Sequence, residues 1–159
     1  MTEAQIKAAL GDFDALWLTI WAEARSEPLE GKVAVASVIR NRALYGTGRF
    51  GIGYTGVCLK PKQFSCWNPG ADKNHVRVMD MAEHISADTA LRSTLVYDDV
   101  TREIQYIAQG ILGGQLRSNI GRADHYLTTD LFTRKPPAWA KGRIPVAVKG
   151  AHAFLLLEA

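Results

Sequence analysis

The segment from Leu29 to Leu44 places the strongest constraint on the fold. At about 100° per residue, its apolar side chains point in nearly all directions around a helix. They are Val33, Ala34, Val35, Ala36, Val38 and Ile39. A helix that is apolar on every side is buried, and small side chains let its neighbours approach closely. The segment therefore predicts a central helix that other helices surround.

Three further helices are predicted around it. The first begins at Asp12, its N-cap, and is broken at about Ser26 by Ser26-Glu27-Pro28. Its apolar stripe consists of Phe13, Leu16, Trp17, Ile20, Trp21 and Ala24. The other two span Asp72 to Leu91 and Thr101 to Leu112. Their inward faces are predicted to hold Val76, Met79, Ala82 and Ile85, and Ile104, Ile107, Ala108 and Ile111.

The remaining segments are irregular or strand-like. Residues 45–70 contain six glycines and scattered aromatic residues, which favours an ordered, groove-forming loop. Pro145 to Val148 and His152 to Leu156 are typical of two strands of a hairpin. The sequence therefore predicts a single domain over residues 1–159. Its class is α+β, predominantly α-helical, with a small carboxy-terminal β-hairpin.

Bulk properties exclude few functions. The 159 residues are 47% hydrophobic and 22% charged, with a formal net charge of +3. This charge suits a polyanionic partner, but it fits an ordinary solvated surface equally well. Residues 1–5 do not resemble a signal peptide, and the longest apolar run is too short to span a bilayer. We therefore expect synthesis as a soluble cytoplasmic protein without membrane insertion.

Glu23 is the candidate for acid chemistry. It falls beside Leu16 and Ile20, at the edge of the apolar stripe and in the last helical turn. Burial raises the pKa of a carboxyl group, and the negative end of a helix acts in the same direction. An acid that keeps its proton near neutral pH can protonate a glycosidic oxygen. The pattern alone also fits a solvated glutamate paired with Arg25 or Arg42.

Five segments of the chain resemble segments of a known protein family, and they follow one another in the same order and at similar spacing. They are WAEARSEP at 21–28 with EGKVAVA at 30–36 and NR at 41–42, KQFSCW at 62–67, ADHY at 123–126, PAWA at 137–140 and GAHAF at 150–154. Together they resemble the catalytic domain of the SleB-type, spore-cortex-lytic cell-wall hydrolases, from about Trp17 to Phe154. Asp124 stands where that family more often has threonine.

The resemblance implies a lysozyme-like fold of the goose-lysozyme and lytic-transglycosylase type, with no separate wall-binding domain. It also implies cleavage of the MurNAc–GlcNAc bond of peptidoglycan glycan strands, with Glu23 as the catalytic acid and no cofactor. Members of the family are generally lytic transglycosylases, which need one carboxyl group. The other candidate carboxylates are Glu27, Glu30, Asp72 and Asp124. Glu27 and Glu30 are predicted to cap the following helix rather than to act as a second catalytic group. A hydrolytic muramidase using Glu23 remains the alternative.

Four residues of the matched segments are predicted to bind substrate: Gln63, Ser65, Tyr126 and His125. Amide, hydroxyl and phenol groups suit the hydroxyl and acetamido groups of a glycan. Ordinary loop hydrogen bonding explains Gln63 and Ser65 equally well. Phe64 and Trp67 are predicted to pin the loop to the core. His125 and His152 also fit structural roles.

The sequence leaves three other functions open: a cysteine-dependent amidase or endopeptidase, a zinc peptidase and a wall-binding module. Cys66 with His125 or His152 could form an amidase or endopeptidase site, although Cys66 falls in a turn. No metal-ligand spacing is present, and His75 and His84 are predicted on an exposed helix face. A non-catalytic wall-binding module would use the same aromatic groove.

The biological interpretation follows from the expected lack of an export signal. We predict a monomeric phage endolysin that binds no nucleic acid and depends on a holin-like pore to reach the wall or periplasm. A truncated bacterial remodelling enzyme is the alternative.

Overall fold

The computed structural model describes residues 1–70, 72–87 and 97–157. Within these ranges there are seven α-helices, one 3-10 helix and a three-stranded sheet. The helices are α1 Glu3–Ala9, α2 Asp12–Ala24, α3 Leu29–Tyr45, α4 Gly53–Leu59, α5 His75–Ala87, α6 Asp99–Gly113 and α7 Thr129–Arg134, with the 3-10 helix at Ser65–Trp67. The strands are β1 His125–Thr128, β2 Ala147–Lys149 and β3 His152–Leu155. The predicted class, α+β and predominantly α-helical, is confirmed.

Helix α3 is the buried central helix that its composition predicts. The side chains of residues 31–39 are all buried. Helices α2, α4 and α6 pack around α3, and β1 and β2 also contact it. Asn41 and Arg42, near the end of the helix, are buried as well.

Helix α2 matches its prediction with two corrections. The N-cap is Gly11, not Asp12. The Asp12 carboxylate instead accepts hydrogen bonds from the backbone nitrogen and hydroxyl of Thr55, at 3.0 and 2.6 Å, and so joins α2 to α4. Phe13, predicted on the buried stripe, is exposed, while the rest of that stripe is buried.

Residues 45–70 are more regular than the glycines suggest, because they contain α4 and the 3-10 helix. A Cβ atom on Gly51 would lie 2.3 Å from the carbonyl oxygen of Gly56, and φ at Gly51 is +113°. This glycine therefore permits close backbone approach rather than disorder. Phe64 and Trp67 are buried, as predicted, and the Trp67 indole nitrogen donates to the Thr19 hydroxyl at 2.9 Å.

Helices α5 and α6 are confirmed where the structure describes them. The predicted end of α5, residues 88–91, lies outside the described residues. Its predicted face is wrong at one position: Val76 is 75% exposed, and Val78 is buried instead. The predicted inward face of α6 is buried, and the helix ends at Gly113, with Gly114 as its C-cap at φ +79°.

The sheet contains the predicted hairpin and a strand that the sequence interpretation missed. Strand β1 pairs antiparallel with β3, so β3 is central in the order β1-β3-β2. The register places Tyr126 opposite Phe154. Helices α1 and α7 were also missed. Among the described helices, none is both long and apolar enough to cross a bilayer.

Candidate active site

Glu23 lies in the last turn of α2, with its side chain half-buried. Its Oε2 atom accepts a hydrogen bond of 2.8 Å from the hydroxyl of Tyr126. Burial raises the pKa of Glu23, and the negative charge of Asp72 adds to this; the Tyr126 hydrogen bond and the charge of Arg42 act in the opposite direction. The net pKa is raised, so this carboxyl keeps its proton to higher pH than an ordinary glutamate.

Tyr126 is presented to Glu23 by the missed strand β1. Its ring is tilted against Phe154 at 5.6 Å and meets the edge of His152 at 5.2 Å. Burial, followed by the charge of Glu23, holds the pKa of Tyr126 well above its usual value. The phenol is therefore a neutral hydrogen-bond donor at ordinary pH.

Asn41 and Arg42, at the end of α3, hold the segment that leads into β1. The Asn41 amide donates to the carbonyl oxygens of Gly121 and Ala123, at 3.0 and 2.9 Å. The Arg42 Nε atom donates to the carbonyl oxygen of Asp124 at 2.7 Å. These buried contacts fix where β1 begins, and hence where Tyr126 lies.

The Arg42 guanidinium also lies over two aromatic rings, 4.8 Å from the Phe50 centroid and 5.5 Å from that of Phe64. Burial lowers the pKa of Arg42, although nearby negative groups, Asp124 and Glu23 among them, act to raise it. The sequence contained a usable signal for this role, since a buried arginine at a helix end needs aromatic or anionic partners.

Gln63 and Ser65, predicted to bind substrate, both have partners within the protein. The Gln63 amide nitrogen donates to the carbonyl oxygens of Phe50 and Val57, at 3.0 and 2.7 Å. The exposed Ser65 hydroxyl donates to Asp72 Oδ2 at 2.7 Å. Gln63 therefore secures the loop, and Ser65 reaches the site through Asp72.

Asp72, one of the other candidate carboxylates, acts on Glu23 through its negative charge, which raises the Glu23 pKa. Its Oδ1 atom accepts a 2.7 Å hydrogen bond from the Asn74 backbone. Partial burial raises the pKa of Asp72, but the hydrogen bonds from Asn74 and Ser65 outweigh it and the net pKa is lowered. Asn74 also accepts from Arg25 Nη2 at 2.8 Å and donates to the Ala22 carbonyl at 3.2 Å. Asp72 is thus an anion fastened to the end of α2.

His125 belongs to a cluster of aromatic rings that it forms with Phe50 and Trp139. Its ring lies 5.6 Å from that of Phe50 and 5.3 Å from that of Trp139, and its Nδ1 atom is 2.9 Å from Asp124 Oδ1. The Trp139 ring is partly exposed. Flat aromatic faces of this kind suit the apolar faces of sugars.

Glu27 does not cap the following helix, contrary to its prediction. Helix α3 has Pro28 at its N-cap and no side-chain cap. The Glu27 carboxylate instead lies against the β2–β3 turn, with Oε1 2.6 Å from His152 Nδ1 and both oxygens within 3.4 Å of the Ala151 nitrogen. Glu30 is exposed in the first turn of α3, where its negative charge interacts favourably with the helix dipole.

Cys66, His75 and His84 are the residues that the sequence offered for cysteine or metal chemistry. Cys66 is buried, and burial raises the pKa of its thiol far above that of a reactive cysteine. His75, predicted as exposed, is buried between the Cys66 carbonyl at 2.9 Å and Glu3 Oε1 at 3.0 Å. His84 is exposed, as predicted. In the part of the chain that the structure describes, no three His, Cys, Asp or Glu residues form a metal-binding group.

Solved structures share this architecture. The catalytic domain of the Bacillus cereus SleB protein matches with a TM-score of 0.59 and 21% identity, over 90% of this chain and 88% of that one. The catalytic domain of the germination-specific lytic transglycosylase SleB from Bacillus anthracis matches with a TM-score of 0.58 and 22% identity, over 90% of this chain and 92% of that one. The lysozyme-like fold expected from the resemblance is confirmed.

Sequence comparison identifies the family. No curated protein matches the chain. A sequence model described as Cell Wall Hydrolase matches residues 26–155, beginning three residues after Glu23 and including Tyr126 and His152. The match extends over more than half of the chain. This protein therefore belongs to the cell wall hydrolase family.

Proposed function

We propose that this protein cleaves the MurNAc–GlcNAc bond of peptidoglycan as a lytic transglycosylase, with Glu23 as its acid and base. One observation carries the proposal: a half-buried carboxyl with a raised pKa lies at the end of α2 and accepts a hydrogen bond from Tyr126. Family membership supports a cell-wall substrate.

In the reaction Glu23 donates one proton to the substrate and later accepts one from it. Glu23 protonates the glycosidic oxygen as the bond from that oxygen to the muramoyl C1 breaks. The resulting carboxylate then accepts the proton of the muramoyl 6-hydroxyl while its oxygen bonds to C1. The product is a 1,6-anhydro sugar, no water is consumed, and Glu23 ends protonated. The Tyr126 hydroxyl and the Arg42 charge favour the intermediate carboxylate.

The surroundings of the other carboxylates support a mechanism with one catalytic carboxyl. Glu27 lies against His152 and the Ala151 nitrogen. Asp124 is buried, and its Oδ1 atom accepts from the Leu157 nitrogen at 3.0 Å and lies 2.9 Å from His125. Asp72 is the carboxylate whose negative charge raises the pKa of Glu23. It is the residue that a hydrolytic muramidase would use to activate water.

Clearing of purified peptidoglycan tests the proposal. We expect Glu23→Gln to abolish clearing, while Glu30→Gln, a matched change on the exposed first turn of α3, leaves the rate unchanged. Cys66→Ser and added chelator are also expected to leave it unchanged. Full activity of folded Glu23→Gln would refute the proposal. Loss in Cys66→Ser or with chelator would favour an amidase or a metallopeptidase, and wall binding without clearing would favour a binding module.

Mass spectrometry of the released fragments distinguishes the two glycan-cleaving reactions. Anhydro ends are expected from transglycosylation, whereas reducing ends would show hydrolysis. Retention of anhydro product by Asp72→Asn would show that Asp72 is not needed as a second catalytic group.

The endolysin role and the cytoplasmic origin stay predictions. Expression in a bacterial host tests both: lysis is expected only when a pore-forming protein is co-expressed. Lysis or unaided secretion without that pore would contradict them.

A further inference from the structure

We propose that Glu27 and His152 form a positioning pair that holds the Tyr126 ring where its hydroxyl reaches Glu23. The inference rests on the proposed function, because it assigns these residues a part in presenting the same catalytic carboxyl. Neither residue contacts the Glu23 carboxylate through a hydrogen bond of its own that the structure shows; Tyr126 makes that contact.

The pair is enclosed. The Glu27 and His152 side chains are 12% and 13% exposed, and Glu27 Oε1 lies 2.6 Å from His152 Nδ1. The two atoms are close without hydrogen-bond alignment, so the structure shows a contact of close packing between the two side chains. The Ala151 nitrogen donates weakly to both carboxylate oxygens, at 3.3 and 3.4 Å.

The turn between β2 and β3 is shaped around this carboxylate. A Cβ atom on Gly150 would lie 2.8 Å from Glu27 Oε2 and 3.1 Å from the Pro28 Cδ atom. Only a residue without a side chain leaves room for Glu27 in its observed place. The carboxylate therefore ties the break between α2 and α3 to the turn that leads into β3.

His152 passes this constraint to Tyr126. Both His152 and Phe154 lie on β3, and they contact the Tyr126 ring with different geometry: His152 edge-on at an interplanar angle of 89°, Phe154 tilted at 32°. The register pairs Phe154 directly with Tyr126. The phenol that these two rings contact donates to Glu23 at 2.8 Å.

A double-mutant cycle tests the pair. Initial rates of muropeptide release against peptidoglycan concentration give kcat and KM for wild type, Glu27→Gln, Tyr126→Phe and the double variant. We expect Glu27→Gln to lower kcat about fivefold with KM nearly unchanged, the effect of weakening one hydrogen bond. In the Tyr126→Phe background the same change is expected to have no further effect, because residues acting through one contact are not additive.

A spectroscopic measurement separates positioning from loss of folded protein. With tyrosine labelled by 13C at Cζ, the Tyr126 resonance is assigned by its absence in Tyr126→Phe. We expect Glu27→Gln to shift it, and Glu30→Gln to leave it in place. If Glu27→Gln unfolds the chain, Glu27→Asp, which keeps the charge, is expected to shift the resonance in a folded protein.

Two results would overturn the inference: an equal effect of Glu27→Gln in both backgrounds, or an unmoved Tyr126 resonance in the folded variants. Either can occur while Glu23→Gln remains inactive, and then only the positioning role fails. Activity in Glu23→Gln would remove the proposed function itself.

Discussion

Two glutamates four residues apart have opposite surroundings. Glu23 lies within α2, and its pKa is raised chiefly by burial, with a single phenol hydroxyl hydrogen-bonded to it. Glu27 lies just beyond the helix and faces an imidazole and a backbone N–H group. The helix end thus separates a carboxyl suited to giving up a proton from one suited to holding a turn. Residue type alone does not assign either role.

Glu23→Gln is expected to have the largest effect on clearing and to separate the roles of Glu23 and Glu27. Removal of a general acid costs about 10²- to 10⁴-fold in rate, so we expect clearing to fall by at least roughly a hundredfold. Glu27→Gln is expected to lose less than about tenfold, since only one hydrogen bond is weakened. Turbidity assays on both folded variants measure the ratio. Equal losses would show that both carboxyls take part in the chemistry.

Gly150→Ala tests the Glu27 side, with Gly142→Ala as its control. Both glycines have positive φ, +56° and +76°, so either alanine is expected to lower the free energy of unfolding by about 1–2 kcal/mol. Only at position 150 would the new Cβ displace the Glu27 carboxylate. Denaturant unfolding should therefore show the larger loss for Gly150→Ala, because its Cβ atom also meets Glu27 and Pro28, and clearing should fall in Gly150→Ala alone. Unchanged clearing in both would separate the Glu27 position from catalysis.

Tyr126→Phe tests how the hydrogen bond from Tyr126 affects the pKa of Glu23. Its hydrogen bond lowers the pKa of Glu23, so removing it raises that pKa further. An acid catalyst is active while protonated and loses activity as pH rises through its pKa. The alkaline limb of the rate–pH profile should therefore move to higher pH, with a rate loss of about tenfold from the lost hydrogen bond. A shift to lower pH would contradict this electrostatic assignment.

Asp72→Asn gives the smallest expected effect and the opposite sign. The charge of Asp72 raises the pKa of Glu23, so its removal lowers that pKa and moves the alkaline limb to lower pH. The rate at the optimum should change by no more than about threefold, as for other partly solvated charges. A much larger loss, with hydrolytic products in the wild type, would assign Asp72 a direct catalytic role.

The helical core was predictable because periodicity reports burial directly. The composition of α3 and the stripe of α2 placed Glu23 at the edge of the core without reference to any other element. Phe13 and Val76 show the limit: each fits the helical pattern, yet they are 38% and 75% exposed, because periodicity does not show where a neighbouring element packs.

The partners of Glu23 were less accessible to sequence reasoning. Tyr126 was selected through its motif, but β1 is only four residues long and its residues pair with partners in β3 that lie 24 to 30 positions away, a separation that local patterns do not reveal. Asn74 was missed, and Asp72 was only one of several candidate carboxylates, because loop amides and carboxylates are common. Their importance comes from the hydrogen bonds to Ser65, Arg25 and Ala22.

The Glu23–Tyr126 contact joins residues 103 positions apart. Tyr126 depends on β3 for its register, and β3 begins at His152. A polypeptide growing from its amino terminus therefore contains the acid long before it contains the strand that completes the acid's setting. On this basis a chain interrupted before His152 carries Glu23 but lacks the means to orient it, so synthesis itself delays the appearance of a working site.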